Sequence, residues 1–259
     1  MDWYLYPAVI AAGFLAGFIN TLAGSGSLVT LPLLIFAGLP ANVANGTNRV
    51  AILLQNVVAV RSFHRRKVLD LRRGLTLAAP AVIGAVLGAQ IAVNLDEQTM
   101  RHTIGVLMAV MFVGVLVRPK RWLEGRPGML ARRPGAVQLL TFFAIGVYGG
   151  FIQAGVGVFL LAGLVLGAGF ELVRGNAVKV LIVLCFTVFA LIVFALNGQV
   201  IWQVGLVLAL GNMSGAWVAA RMAVERGAVF VRWLLIAVLV VSAAVLLGVG
   251  EWVWRMIWQ

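Results

Sequence analysis

Long apolar stretches separated by short polar or basic segments dominate the chain. An α-helix rises 1.5 Å per residue, so about 20 apolar residues cross the hydrocarbon core of a bilayer. Several stretches approach or reach that length, and the pattern predicts an all-α integral membrane protein, a polytopic helical bundle. The clearest stretches are Ala41–Val60, Leu75–Val93, Ile104–Val117, Val180–Leu196, Val204–Ala220 and Trp233–Val249. Pro7–Ala23 is also apolar, and because no Lys or Arg precedes it we interpret it as a retained membrane segment rather than a signal peptide.

Composition and charge agree with a membrane protein. Of the 259 residues 63% are hydrophobic and 11% charged, with a mean hydropathy of +1.05, whereas soluble domains carry about 25% charged residues. The net charge of +12 is concentrated in two segments, Arg61–Arg73 and Arg118–Arg133, each with six basic residues. Both connect apolar stretches, which is typical of cytoplasmic loops against anionic lipid headgroups. We therefore expect membrane lipids, and no nucleic acid, as partners.

The sequence offers no constellation for catalysis or metal binding. Cys185, the single cysteine, lies inside an apolar stretch, and the two histidines, His64 and His102, are far apart in sequence. No nucleophile–base pair, paired carboxylates or Cys/His cluster stands out. We expect no enzyme activity, no cofactor and no metal site, and a membrane enzyme or assembly factor is the least supported alternative.

The second half of the sequence resembles the first when the two are aligned at the shift that matches Gly24 with Gly155. At that shift Gly26 and Asn45 fall on Gly157 and Asn176, and further matches continue without a gap as far as Arg101 on Arg232. Such self-similarity predicts two repeats, residues 1–118 and 137–259, joined by a basic cytoplasmic linker, 119–136. The alternative is a coincidence of a Gly- and Ala-rich composition.

The charges of equivalent loops predict that the two repeats have opposite orientations. Phe63–Arg73 is basic and should lie inside, whereas its counterpart Phe194–Gln203 carries no charge and should lie outside. Arg221–Arg226 is again basic. The sequence therefore predicts inverted-topology repeats, with the N- and C-termini outside.

Each repeat should begin with a hairpin. Pro7–Leu39 and Val137–Phe170 are each too long for one comfortable span and too short for two full ones, and both are broken in the middle by glycines. We interpret each as a Gly-broken hairpin of partial helices that is followed by three spanning helices. The competing interpretation, one kinked span for each stretch, would place Arg221–Arg226 outside and Asn197–Gln203 inside, which the charges disfavour.

The glycine breaks are candidate substrate sites. In inverted-repeat transporters the site lies near the bilayer midplane and is formed by broken helices, and a helix N-terminus there favours an anion. The alternative is that the glycines only allow helices to cross closely. The candidate residues at the two breaks are Gly24, Ser25, Gly26, Ser27, Gln153, Gly155 and Gly157.

The helix after each break adds polar and charged candidates. Arg49 and Lys179 are the only cations just inside otherwise apolar stretches, and none of the eight acidic residues lies inside such a stretch. A cation inside a membrane usually faces a partner, and here we expect the substrate to be that partner; the alternative is snorkelling to the membrane surface. The absence of an embedded carboxylate favours a uniporter or anion exchanger over a proton symporter. The candidates on these helices are Asn45, Thr47, Asn48, Arg49, Asn176 and Lys179, and Gln55 and Asn56 either line the path or hold neighbouring helices.

These motifs resemble a known family. Gly17-Phe18-Ile19, Gly24-Ser25-Gly26-Ser27, Pro32-Leu33-Leu34 and Ala44-Asn45-Gly46-Thr47-Asn48 resemble the repeat signature of the TauE/SafE sulfite exporter family. Gly150–Gly157, Asn176 and Lys179 resemble its degenerate later repeat. Gly24-Ser25-Gly26 replaces a fuller glycine triplet, and Ala177-Val178 replaces a Gly-Thr, so the substrate stays open.

The resemblance implies a multi-pass secondary transporter of the bacterial inner membrane. It would export a small sulfur-containing oxyanion, sulfite or an organosulfonate, by alternating access. A second copy of the chain is a candidate partner. An anion channel, or a permease for another small anion, is the alternative for the same residues.

The predicted orientation can be tested by labelling. In a Cys185→Ser background, a cysteine at Asn197 should react with an impermeant thiol reagent from outside the cell, whereas a cysteine at His64 should react only after permeabilisation. Labelling of both positions from the same side would contradict the inverted arrangement.

Overall fold

The computed structural model describes residues 5–117 and 134–246, which form helices and connecting turns and no strand. The helices are α1 (Leu5–Ala23), α2 (Ser27–Phe36), α3 (Ala41–Arg65), α4 (Leu71–Val93), α5 (Glu97–Val117), α6 (Ala136–Phe151), α7 (Val156–Ala162), α8 (Leu172–Leu196) and α9 (Trp202–Leu246). A π-helical turn, Gly163–Gly167, continues α7, and α9 is broken at Gly227, where φ is 70°. Apart from residues 134–136, the predicted basic linker 119–136 lies outside the described residues.

The helices confirm the predicted membrane bundle. Within the described ranges, three segments are long and apolar enough to cross a bilayer: Leu71–Val93, Leu172–Leu196 and Trp202–Gly227. Helix α3 has 25 residues, which is also long enough, but polar residues at Asn45–Arg49 lower its hydropathy. The polar part of α3 is buried against other helices, so bundle packing rather than lipid surrounds it.

Helix bounds in the two halves of the chain follow the spacing seen in the sequence. Helices α3 and α8 both have 25 residues and begin at Ala41 and Leu172, two positions that the shift of Gly24 onto Gly155 also superimposes. Helices α4 and α9, and likewise α1 and α6, begin at the same spacing. Helix α9, broken at Gly227, takes the place of both α4 and α5, so the order of helices in the C-terminal half (α6–α9) follows that in the N-terminal half (α1–α5).

Each half begins with two helices separated by a glycine break, but their arms differ in length. The second arms are short, since α2 has 10 residues and α7 has seven before its π-helical turn. The first arms, α1 and α6, have 19 and 16 residues, about 28 and 24 Å at 1.5 Å per residue. They are longer than the partial helices that the sequence suggested, because nothing interrupts either apolar run before its break.

Small residues bring the two halves into backbone contact. Helix α6 packs along α4, and α1 packs along the first part of α9. At both crossings a Cβ on the glycine would overlap the backbone of the facing helix, as small residues allow throughout membrane bundles. The facing positions are Gly88 with Val147, Gly150 with Ala85, Gly17 with Asn212 and Gly215 with Phe14. The first arm of each hairpin is thus packed on the other half.

Aspartates mark the beginnings of two helices after α3. The Asp70 carboxylate accepts the Arg73 N–H at 3.1 Å at the start of α4. The Asp96 carboxylate accepts the Thr99 N–H at 2.9 Å at the start of α5. Hydrogen bonds from the side chain and then the backbone of Thr99 lower the pKa of Asp96. Both acids therefore act as helix caps at the ends of membrane helices.

The close crossings predict a position-specific loss of stability. Gly150→Ala should lower the free energy of unfolding by about 1–3 kcal/mol, because the new methyl group would meet the Ala85 carbonyl. Gly105→Ala is the matched control, since nothing lies within 4 Å of its Cβ position. Thermal unfolding in detergent measures both, and equal melting temperatures for the two variants would contradict the packing.

Candidate functional site

The two helix breaks meet each other. Gly24, between α1 and α2, has φ 78°, and Gly155, before α7, has φ 72°, a left-handed conformation that glycine adopts readily. The N–H of Gly157 donates to the Gly24 carbonyl at 3.2 Å. A Cβ on either Gly24 or Gly157 would overlap the Cα of the other. Glycine at these two positions thus serves close contact between the breaks.

Arg49 binds the end of α6. This fully buried side chain on α3 donates from Nη1 to the Gly149 carbonyl at 3.1 Å and from Nη2 to the Gly150 carbonyl at 2.6 Å. Asn45, one turn earlier, donates to the Phe151 carbonyl at 2.8 Å. The last carbonyls of a helix lack partners inside the helix and carry its negative dipole end. The α3 side chains therefore cap a helix that lies about 100 residues away in sequence.

Lys179 binds the end of α1 in the same way. Its Nζ donates to the Asn20 carbonyl at 3.1 Å, the Thr21 carbonyl at 2.9 Å and the Asn176 side-chain oxygen at 2.9 Å. The Asn20 carbonyl also accepts the Gly24 N–H at 2.9 Å, which joins this cluster directly to the break. The two cations thus form reciprocal clusters, each on a helix end from the other half of the chain.

Both cations are inside the protein, so the snorkelling alternative is wrong. Arg49 is 0% exposed and Lys179 1% exposed, and both head groups bond to buried backbone. The prediction that the substrate alone supplies their partner must be modified, because carbonyl groups already accept from both. The guanidinium carbon of Arg49 also lies 4.6 Å from the centre of the Phe194 ring.

The positive charge of this region is not neutralised by acids. Among the charged side chains whose burial the structure describes, Arg49 and Lys179 are the only buried ones. The acids in that part are half-buried or exposed: Asp70, Asp96, Glu97, Glu171 and Glu225. Carbonyl dipoles satisfy hydrogen bonds but carry no net charge, so two uncompensated cations remain in a low-dielectric interior. Such an interior favours an anion.

Hydrogen-bond donors without protein partners surround the same segments. Buried polar atoms in proteins nearly always have a partner, yet several here have none among residues 5–117 and 134–246. Those around the two breaks are Thr21 Oγ1, Ser25 Oγ, Ser27 Oγ, Asn48 Nδ2, Arg49 Nε, Gln153 Oε1 and Asn176 Nδ2. All but the Gln153 oxygen can donate. The donors match the needs of an oxyanion.

The structure brings most of the predicted site residues into this region, with one clear exception. The Thr47 hydroxyl oxygen accepts the backbone N–H of Ile201 at 2.9 Å, so Thr47 holds the turn before α9 instead. Asn48 accepts from Thr30 at 2.8 Å, and Gln153 donates to Thr187 at 2.8 Å. Sequence reasoning missed Thr21, Thr30 and Thr187, because a threonine in an apolar helix gives no distinctive signal.

A second buried polar pair lies further along α3. The Asn212 amide donates to Gln55 Oε1 at 3.1 Å, while Gln55 Nε2 and Asn212 Oδ1 have no partner within residues 5–117 and 134–246. The pair joins α3 to α9, whereas the Asn56 amide bonds its own helix at the Ile52 carbonyl. The sequence predicts that Gln55 either lines the transport path or holds neighbouring helices together, and the observed contact with Asn212 does the second.

Apolar helices, buried cations and broken hairpins define an integral membrane transporter, and the comparisons with known proteins agree. The family model "Sulfite exporter TauE/SafE" matches residues 9–246. The chain belongs to the TauE/SafE family.

Relatives in several bacteria are similar over nearly the whole chain. "Probable membrane transporter protein ORF9" of Sinorhizobium sp is 32% identical, covering 96% of this chain and 94% of the relative. "Probable membrane transporter protein YfcA" of Escherichia coli K12 is 31% identical, covering 94% and 90%. A "Probable membrane transporter protein" of Haemophilus influenzae is 27% identical, covering 88% and 89%. No solved structure matches the chain significantly. The family is described as an exporter and these relatives as probable membrane transporters, which are not enzymes.

The partnerless hydroxyls predict a separation of binding from stability. Ser25→Ala should leave the melting temperature of the anion-free protein unchanged or raised, because this hydroxyl bonds to none of the residues that the structure describes. Anion affinity should fall about 10-fold or more, the effect of one hydrogen bond to a charged group.

Ser214→Ala is the matched control, because Ser214 lies on the exposed face of α9 and bonds only its own helix. The control should bind anions as the wild type does. A large loss of stability in Ser25→Ala, with unchanged anion affinity, would assign the hydroxyl to the fold instead.

Proposed function

We propose that the protein is a secondary transporter that exports a small sulfur-containing oxyanion, sulfite or an organosulfonate, across the bacterial inner membrane. One observation carries this proposal: two buried cations lie beside hydrogen-bond donors, and among the described residues the cations have no buried acid and the donors have no partner. The family model supports the substrate class. The printed names of the relatives say only that they are probable membrane transporters.

The transport site would lie near the bilayer midplane between two inverted repeats, residues 1–118 and 137–259, with both chain termini outside. The common spacing of equivalent helices supports the repeats. The reciprocal bonds support a twofold relation between the repeats, because Arg49 caps α6 while Lys179 caps α1, and the charges of equivalent loops favour inversion. In such transporters broken helices from both repeats enclose the substrate.

Side chains would make most of the contacts with the anion. Gly24 and Gly157 already touch each other, so in this conformation their backbones leave no cradle between them. The hydroxyls of Ser25 and Ser27 and the amide of Asn176 would donate to the anion's oxygens, and Arg49 and Lys179 would balance its charge. Asn45 and Asn176 would orient it.

Alternating access would separate the two breaks. One backbone hydrogen bond, from Gly157 to Gly24, joins them, and such a bond contributes only about 0.5–1.5 kcal/mol. The difference in binding free energy of an anion between two conformations could readily overcome it. Each cation would keep its helix end attached to the opposite repeat, so that hairpin and helix move together.

The charge pattern favours a uniporter or anion exchanger. Proton-coupled carriers commonly use buried carboxylates as relays, and the acids in the described part of the chain are half-buried or exposed. A channel built from the same residues would give single-channel currents, whereas a carrier gives a saturable flux at low turnover.

The proposal can be tested by ligand-dependent stability of the purified protein. Sulfite or a short organosulfonate should raise the melting temperature, since a ligand at 100 times its Kd stabilises a protein by about 2.7 kcal/mol, while sulfate and carboxylates should act more weakly. Arg49→Ala and Lys179→Ala should each weaken anion binding about 100-fold, an estimate for removing one charged partner.

Charge-preserving variants control for folding. Arg49→Lys and Lys179→Arg retain a donor for the helix-end carbonyls and should bind anions more tightly than the alanine variants. Wild-type affinity in both alanine variants would refute a role for the cations. Stabilisation by carboxylates alone would redirect the substrate class, and single-channel currents in proteoliposomes would overturn the carrier.

A further inference from the structure

A basic groove lies at the far end of α3 from the candidate transport site. It has a volume of about 310 Å³ and is lined by Val58, Arg61, Ser62, Arg65, Arg66 and Trp217. Arg61 lies about 18 Å beyond Arg49 along the helix axis, at a rise of 1.5 Å per residue. The groove is therefore a separate feature from the transport site.

The groove carries net positive charge. Glu225 accepts from Arg221 at 2.8 Å and lies 3.6 Å from Arg66, so one carboxylate is shared by two arginines. Within residues 5–117 and 134–246, no carboxylate is within 4 Å of the side-chain nitrogens of Arg61 or Arg65. These two exposed arginines are one helical turn apart, on the same side of α3.

The lining combines this charge with an apolar wall. Trp217 is 53% exposed on α9, in the apolar segment Trp202–Gly227, and Val58 adds a branched aliphatic surface from α3. Tryptophan is enriched where membrane helices reach the headgroup region. The guanidinium group of arginine matches phosphate oxygens with two parallel hydrogen bonds. A ligand that fits both parts has a phosphate next to an apolar chain.

We propose that this groove binds the phosphate group of an anionic phospholipid, with Arg61 and Arg65 on the phosphate and Trp217 against the adjoining glycerol and acyl chain. The apolar wall favours a lipid over soluble phosphate, and the net charge favours an anionic over a zwitterionic headgroup. The basic segment containing these arginines is the one that loop charge assigns to the cytoplasmic leaflet. The site does not depend on what the protein transports.

Lipid binding to the purified full chain in detergent tests the proposal. Native mass spectrometry and thermal unfolding would compare phosphatidylglycerol, phosphatidylcholine and inorganic phosphate. Phosphatidylglycerol should remain bound and raise the melting temperature, while the other two should have little effect. The double variant Arg61→Gln/Arg65→Gln should bind phosphatidylglycerol at least about 100-fold more weakly, because losing each hydrogen bond to the charged phosphate reduces affinity about 10-fold or more.

A charge-matched control distinguishes a built groove from general surface attraction. Lys67→Gln/Arg72→Gln removes two exposed positive charges from the same basic segment but leaves the groove lining unchanged. Its charges do not touch the proposed phosphate and act only over a longer range, where salt screens them, so it should keep affinity within about threefold of wild type. An equal loss in both double variants would overturn the groove, as would equal binding of phosphatidylcholine. Stabilisation by inorganic phosphate alone would overturn the lipid as its ligand. The comparison of phosphatidylglycerol, phosphatidylcholine and inorganic phosphate on the wild-type protein decides these last two outcomes without any variant.

Discussion

The centre of the protein depends on two cations that bind helix ends. A buried lysine or arginine needs a partner in a low-dielectric interior, and here the partners are the last carbonyls of α1 and α6. A helix that ends inside a bundle has the converse requirement, because its last carbonyls lack donors within the helix. The helix-end carbonyls thus receive hydrogen bonds from the cations, and the cations receive acceptors from the helix ends. The cations can therefore stay inside and the first arms of the hairpins can end there, without a single buried carboxylate in the described residues.

This arrangement leaves charge without neutralisation, and a transporter of anions can use that imbalance. Hydrogen bonds to carbonyls satisfy the geometry of Arg49 and Lys179 but not their net charge. The hydroxyl and amide donors around Ser25 and Asn176 have no partner in the described part of the protein. Both properties would be unfavourable in a purely structural core. Together they are what a desolvated oxyanion would require from its binding site.

The reciprocal contacts between the halves also suggest which parts of the protein would move together. Helix α1 packs along α9 and α6 along α4 through glycines that admit no side chain, so each first arm is held on the other half of the chain. The contact between Gly24 and Gly157 is by comparison a single backbone bond. Rigid crossings around a weak central contact are consistent with two bodies that rock about the proposed site. At the membrane surface, the arginine groove at the end of α3 would anchor one of those bodies to lipid.

The sequence by itself determined where helices could exist and which of them were unusual. Apolar length sets the spans, because about 20 such residues are needed to cross a bilayer, and Gly24 and Gly155 marked the breaks because their left-handed backbone favours glycine. Arg49 and Lys179 could be recognised as exceptional from their apolar surroundings alone. Only the tertiary structure decided what these residues contact. Two of the three acceptors for Lys179 are backbone carbonyls 158 and 159 residues away. Every residue has a backbone carbonyl, so the sequence cannot show which carbonyls accept. A glycine in the sequence likewise does not show whether it is needed for a turn, for contact with a ligand or for contact with a neighbouring backbone. Only the fold showed that Gly24 contacts Gly157.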